Sequence, residues 1–230
     1  MKRTIVVISY NRPIQEPTRA LLGDLMKQGV AVVTQNGCAD VALARNLALT
    51  GACQAYRQLL EKAGPDTPAR DTFLMLDDDM LFTLDQVQTL IEHTRETGVA
   101  ASAMYATAVG TLAAMRLREP IDNEAQRWVT GLGMLAIPAA LMLELEQRSE
   151  TFPLKKGRHT AFTCSAMFEG HWYSEDYTLT RLLGGVHLLP MAVGHLKTIP
   201  IYPDAETVGL IRDGKRLPGD LILPQPIEVR

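Results

Sequence analysis

The sequence predicts an α/β domain built on a mainly parallel, doubly wound sheet whose second half is mixed in strand direction. Three observations carry this. Strand and helix signals alternate through the first part of the chain, the early strands are short β-branched runs of the kind buried on both faces, and after Gly98 the helical period gives way to consecutive strand candidates. Thr4 to Ile8 is the first such run, bounded by the turn chemistry of Ser9 to Pro13. A helix is expected to begin near Pro17, with Leu21, Leu22, Leu25 and Met26 on one side and Gly29 as its stop. Val30 to Thr34 reads as the second strand. From Asp40 to about Leu60 apolar residues recur at helical spacing, until Ala63-Gly64-Pro65-Asp66 ends the helix. Thr72 to Leu76 is the third strand and runs directly into Asp77-Asp78-Asp79.

Thr83 with Gln86 three residues later is a capping-box signature for a helix that ends near Gly98. Val99 to Met104, Thr111 to Leu117 and Arg127 to Ile137 are then strand candidates, followed by a short helix from Pro138 to about Gln147. Thr151 to Tyr173 shows no sustained period and mixes Lys155, Lys156, Arg158 and His159 with aromatic residues, so it reads as a long loop beside a site. Ser174 is a good N-cap for a helix carrying Leu179, Leu182 and Leu183 and closed by Gly184-Gly185, with Glu175 and Asp176 in its first turn. His187 to Leu189 and Val193-Gly194-His195 precede a tail with Pro200, Pro203, Pro218, Pro224 and Pro226, expected to lie extended across the body.

The 230 residues are 47% hydrophobic and 21% charged, an ordinary globular composition that excludes disorder, collagen-like repeats and a disulfide scaffold. A net charge of -3 gives no global footprint for nucleic acid or an anionic membrane. Cys38, Cys53 and Cys164 are odd in number and form no C-x-x-C pair, so they read as thiols in a reducing compartment. Lys2 and Arg3 precede an apolar run that stops at Ser9 with no cleavage site after it, and no window reaches the roughly 18 apolar residues of a membrane span. The expectation is a soluble, cytoplasmic protein with no membrane insertion; the oligomeric state is open.

Three consecutive carboxylates at the end of an apolar strand repel one another, and a divalent cation removes that problem. Strand alternation would project Asp77 and Asp79 to one side, with Asp78 turned away, so that the outer pair shares Mg²⁺ or Mn²⁺ bridged to phosphates. A solvated acidic turn is the alternative. His195, after Gly194, would complete such a site or else be an ordinary core histidine. Glu175 and Asp176 suit a helix N-terminus without further purpose, yet a carboxylate beside an aromatic, basic segment can also take a proton from a hydroxyl. Arg45 is either a helix-surface cation or a partner for a diphosphate.

In their order along the chain, Val6 to Arg12, Ala44-Arg45-Asn46, Phe73 to Asp79 with its D-x-D element, Trp128 to Gly133, Ser174-Glu175-Asp176-Tyr177 and His195 resemble the motifs of nucleotide-sugar glycosyltransferases of the GT-A fold, in the family-2-like group. The resemblance implies one GT-A-like domain over residues 1–198, with a Rossmann-like nucleotide-binding half over 1–104, an acceptor half over 105–198 and a Pro-rich extension over 199–230. It implies a metal-dependent transfer of a single sugar, hexosyl or pentosyl, from a nucleotide-diphosphate sugar to a hydroxyl acceptor. Ser9, Tyr10, Asn11, Arg12, Arg45, Asp77 and Asp78 would bind the donor; Asp77, Asp79 and His195 would hold Mn²⁺ or Mg²⁺; Asp176, with Glu175, would be catalytic, as the general base if the enzyme inverts. The late histidine is more familiar among retaining members, so stereochemistry stays open. A metal-dependent phosphohydrolase or phosphotransferase and a non-catalytic nucleotide-sugar-binding protein are the other readings. A nucleic-acid acceptor, reached through Lys155, Lys156, Arg158 and His159, is possible but not favoured over a solvated basic loop.

Overall fold

A computed structural model describes residues 3–10, 13–63, 70–107, 110–117, 126–154, 157–168, 170–196, 200–201 and 208. Asn11, Arg12, Lys155, Lys156 and nearly all of the Pro-rich tail lie outside them. The chain is an α/β protein around a mixed sheet of six strands. The first half alternates β1 (Thr4–Tyr10), α1 (Glu16–Lys27), β2 (Ala31–Asn36), α2 (Val41–Ala63), β3 (Thr72–Leu76), the short β4 (Met80–Leu81), α3 (Leu84–Thr97) and β5 (Ala101–Met104). The second half holds β6 (Ala114–Arg116), β7 (Trp128–Thr130), β8 (Met134–Pro138), α4 (Ala139–Arg148), β9 (Thr151–Leu154), β10 (Gly157–Thr160), β11 (Ala166–Phe168), β12 (His171–Tyr173), α5 (Glu175–Leu182), β13 (His187–Ala192), β14 (Gly194–Leu196) and β15 (Pro200–Ile201).

The sheet order is β2-β1-β3-β8-β5-β13. β1 pairs in parallel with β2 and β3, and β13 with β5, while β8 lies antiparallel between β3 and β5. Alternation along the central strands feeds two core layers. Ile5, Val7, Phe73 and Met75 pack with α2, α4 and α5 through Leu49, Met142 and Leu179; Val6, Ile8, Leu74 and Leu76 pack with α1 and α3 through Leu22, Leu25, Val87 and Leu90. Strands covered on both faces need no polar alternation, which is why β3 reads as a continuous apolar run.

The local signals explain the helices. Thr83 and Gln86 form the reciprocal capping box, and Gly98 ends α3 at φ 69°, a left-handed conformation open to glycine. Asp40 caps α2 by accepting the Leu43 N–H at 2.9 Å. Ser174 occupies the N-cap position of α5, but its side chain makes no capping bond.

Three expectations are corrected. Residues 151–173 are not a loop but two antiparallel hairpins, β9–β10 and β11–β12, whose strands of three or four residues are too short to display a period. The Arg127–Ile137 candidate is two strands, β7 and β8, separated at Gly131-Leu132-Gly133. The acidic triplet is not strand: β3 stops at Leu76 and the chain turns through Asp77 to Asp79 into β4.

Candidate functional site

The carboxyl end of a parallel sheet is where an open α/β fold exposes backbone and side chains to a ligand. Here β1 delivers Ser9 and Tyr10, the turn after β3 delivers Asp77 to Asp79, and the first turns of α2 deliver Ala44 and Arg45. Together with Cys38, Val41 and His195 they line a cleft of about 280 Å³, at the small end of ligand pockets. Because the triplet is a turn, all three aspartates line this cleft.

Two polar constellations organise it. The first is centred on Arg45, whose guanidinium is almost wholly buried. Its Nη2 donates to Asp77 Oδ1 at 3.1 Å, and its Nη1 donates to Glu175 Oε1 at 3.1 Å and to Asp176 Oδ1. One cation thus joins the acidic turn after β3 to the acidic first turn of α5. The second is Asp79 with His195. β14 pairs antiparallel to β4, setting His195 opposite Met80, and the Leu196 N–H donates to the Asp79 carbonyl at 2.6 Å. His195 Nδ1 lies 2.9 Å from the Ala106 carbonyl, which can only accept, so that nitrogen carries hydrogen. Nε2 then faces Asp79 Oδ1 at 3.3 Å, an approach that a cation bound to both would favour.

Behind these groups, Tyr105 is buried and sits edge-on to His195, with ring centroids 5.8 Å apart. Its hydroxyl accepts the Gly133 N–H at 2.9 Å, and burial pushes its pKa up, so the phenol stays neutral. The glycines of 131–133 are required by this approach. A Cβ on Gly131 would lie 2.0 Å from the Tyr105 hydroxyl and 3.4 Å from Asp176 Oδ2; one on Gly133 would lie 2.8 Å from the Tyr105 ring. α5 is fixed from two more sides: Thr163 Oγ1 donates to the Glu175 carbonyl, and Thr180 Oγ1 accepts the Thr130 N–H at 3.1 Å.

A larger hollow, about 630 Å³, lies at the opposite ends of β1 and β2 beside Arg3 and Arg95. Its arginines are already engaged: Arg95 donates to the Arg3 and Arg70 carbonyls and to Thr4 Oγ1, and Arg3 pairs with Asp71. The smaller cleft, where carboxylates converge, is the better candidate.

No family model matches the chain, and no curated protein matches it. Among solved structures it is similar to A197 from STIV. The TM-score is 0.52 at 18% sequence identity, with 88% of this chain and 94% of that one covered. What is shared is the fold.

Sequence expectation and structure differ most over the metal ligands. Asp77 is bound to Arg45 and Asp79 to His195, and among the described residues no three acidic, histidine or cysteine side chains form a group able to hold a metal ion alone. Ser9, Tyr10, Arg45, Asp77, Asp78, Asp79 and His195 do come together in the cleft, and Glu175 and Asp176 join them through Arg45. Tyr105, Cys38 and Val41 were missed. Only the paired glycines of Gly131-Leu132-Gly133 hinted that a bulky group would press against that turn. In the basic segment, Arg158 donates to Thr151 Oγ1 at 3.0 Å and the His159 ring lies tilted against Phe152, so both serve the β9–β10 hairpin.

Proposed function

We propose that this protein is a metal-dependent glycosyltransferase that moves a single sugar from a nucleotide-diphosphate sugar to a hydroxyl acceptor. The observation that carries the reading is the meeting, at the carboxyl ends of β1 and β3, of an Asp79–His195 pair with a second acidic set, Asp77, Glu175 and Asp176, gathered by Arg45. The donor set fits Mn²⁺ or Mg²⁺. Such ions can be held through one or two carboxylates with phosphate and water completing the shell, so Asp79 would supply the hard oxygen ligand, and His195 an imidazole that suits Mn²⁺ better than Mg²⁺. His195 also has the orientation of a ligating imidazole, its far nitrogen donating to the Ala106 carbonyl. When bound, the ion would offset the charge that builds on the departing diphosphate.

In this reading Ser9 and Tyr10 form the wall of the nucleotide pocket. Asp176 keeps one oxygen, Oδ1, on Arg45; the other, Oδ2, faces the backbone at Gly131. A carboxylate held in that way can take the acceptor's proton in an inverting transfer. No helix among the described residues is long and apolar enough to cross a membrane. The three thiols are all free, which supports a reducing, cytoplasmic setting.

The test is a thermal-shift panel of uridine, guanosine and cytidine diphosphate sugars with and without Mn²⁺. A donor at 100 times its Kd stabilises by about 2.7 kcal/mol, and that gain should require the metal and vanish in Asp79→Asn and His195→Gln. Stabilisation by no nucleotide sugar, or an equal shift without metal, would overturn the proposal.

A further inference from the structure

We propose that Arg45 is a positioning residue: it fixes Asp176 and Asp77 relative to each other from behind, and does not grip the donor diphosphate as its place in the cleft first suggests. This rests on the glycosyltransferase reading for its chemistry but not for its geometry. Arg45's side chain is 7% exposed, while those of Asp77, Glu175 and Asp176 are 27%, 24% and 25% exposed. The guanidinium therefore offers a ligand far less surface than the carboxylates do. Both terminal nitrogens are already bound, and a diphosphate could reach them only by displacing carboxylates that carry the same sign of charge.

The anchorage of Arg45 is rigid. Its neighbour Asn46 clamps residue 163 twice, donating to the Thr163 carbonyl and accepting the Thr163 N–H, each at 2.9 Å, and α2 packs along β1. The planar fork can hold two carboxylate groups in a fixed relation, which a single ammonium cannot. Without it, three carboxylates brought from two distant parts of the chain would repel. Ser174 makes no capping bond, so the first turn of α5 is held by Arg45 together with Thr163 Oγ1 on the Glu175 carbonyl.

The experiment compares wild type, Arg45→Lys and Arg45→Ala in steady-state sugar transfer and in calorimetric binding of uridine, guanosine and cytidine diphosphates with Mn²⁺. Arg45→Ala is expected to lose about 100-fold in kcat, the scale of an ångström's misplacement at a reacting group, with donor KM and nucleotide Kd within about threefold of wild type. Arg45→Lys should fall between the two, and added guanidinium ion, but not ammonium, should restore part of the Arg45→Ala rate. A nucleotide Kd raised about tenfold with kcat unchanged would assign Arg45 to the diphosphate and overturn the proposal, as would an unchanged kcat. If wild type transfers no sugar, the functional reading fails. The positioning claim then stands or falls on hydrogen exchange, which should speed up in α5 and not in β1 or β3 of Arg45→Lys; equal exchange in α5 would refute it.

Discussion

The two halves of the molecule build the same cleft by different means. In the first, β1 and β3 are buried on both faces, helices alternate with strands, and the cleft lies where those strands end. In the second, most strands are three or four residues long and pair locally in hairpins. Yet that half supplies Asp176, His195 and Gly131. The sheet and core join it to the first, with β8 between β3 and β5 and β13 beside β5, and near the site α2 adds polar contacts: Asn46 on Thr163, Thr50 Oγ1 on the Thr160 N–H, and Arg45 on Glu175 and Asp176. Apolar area fixes where the site is, and a few directed bonds from α2 fix which acids meet there.

This contrast should break first in the shared core. Phe73→Ala, at a fully buried side chain of β3, is expected to lower stability by about 3–5 kcal/mol in a single cooperative denaturant transition. A local transition confined to the second half would mean that the halves fold apart. Gly131→Ala should cost about 3 kcal/mol, the upper end for overpacking, because its Cβ would lie 2.0 Å from a buried hydroxyl. Tyr105→Phe removes that oxygen, so the double variant should be less destabilised than the sum of the two single ones. Strict additivity would show that the clash is relieved elsewhere.

Asn46→Ala sharpens the comparison in the other direction. It orphans the buried Thr163 N–H and carbonyl and should cost about 2 kcal/mol, with exchange protection lost around residue 163 while β1 and β3 stay protected.

The smallest effect is acid sensitivity at the sheet edge, where His93 on α3 and His187 on β13 share a hydrogen bond of 2.7 Å. Burial lowers both pKa values; the charge of His93 lowers that of His187 further, and Glu96 partly opposes the shift at His93. The unfolded chain takes up protons below about pH 6.5 more readily than the folded one. The pair's contribution is therefore complete above that pH and lost as pH falls through the lowered folded values. Thermal midpoints at pH 7.5 and 5 should diverge less in His187→Gln than in wild type; the same divergence would absolve the pair.

Wherever a residue's neighbours in sequence decided its state, the sequence was legible. The apolar runs of β1 and β3, the Thr83–Gln86 box and the Gly98 stop are one-dimensional signals, and they placed the sheet, its carboxyl ends and the acidic turn. The hairpins of 151–173 were not legible, because strands this short are defined by their partners: Met167 lies opposite Trp172, and Pro153 opposite Arg158. Nor was the division of the acids, since spacing offers Asp77 and Asp79 as a natural pair. The turn after Leu76 instead sends one to Arg45 and the other to His195.

By itself, then, the sequence determined an α/β chain with a carboxylate turn at the end of a buried strand, because burial on both faces and helix capping are written in adjacent residues. Only the tertiary structure decided that Arg45 joins Asp77, Glu175 and Asp176, that His195 turns Nε2 to Asp79, and that Tyr105 leaves room for glycine alone at 131. Those contacts join residues up to 131 positions apart, and their geometry follows from how helices and hairpins pack on the sheet, not from any local pattern.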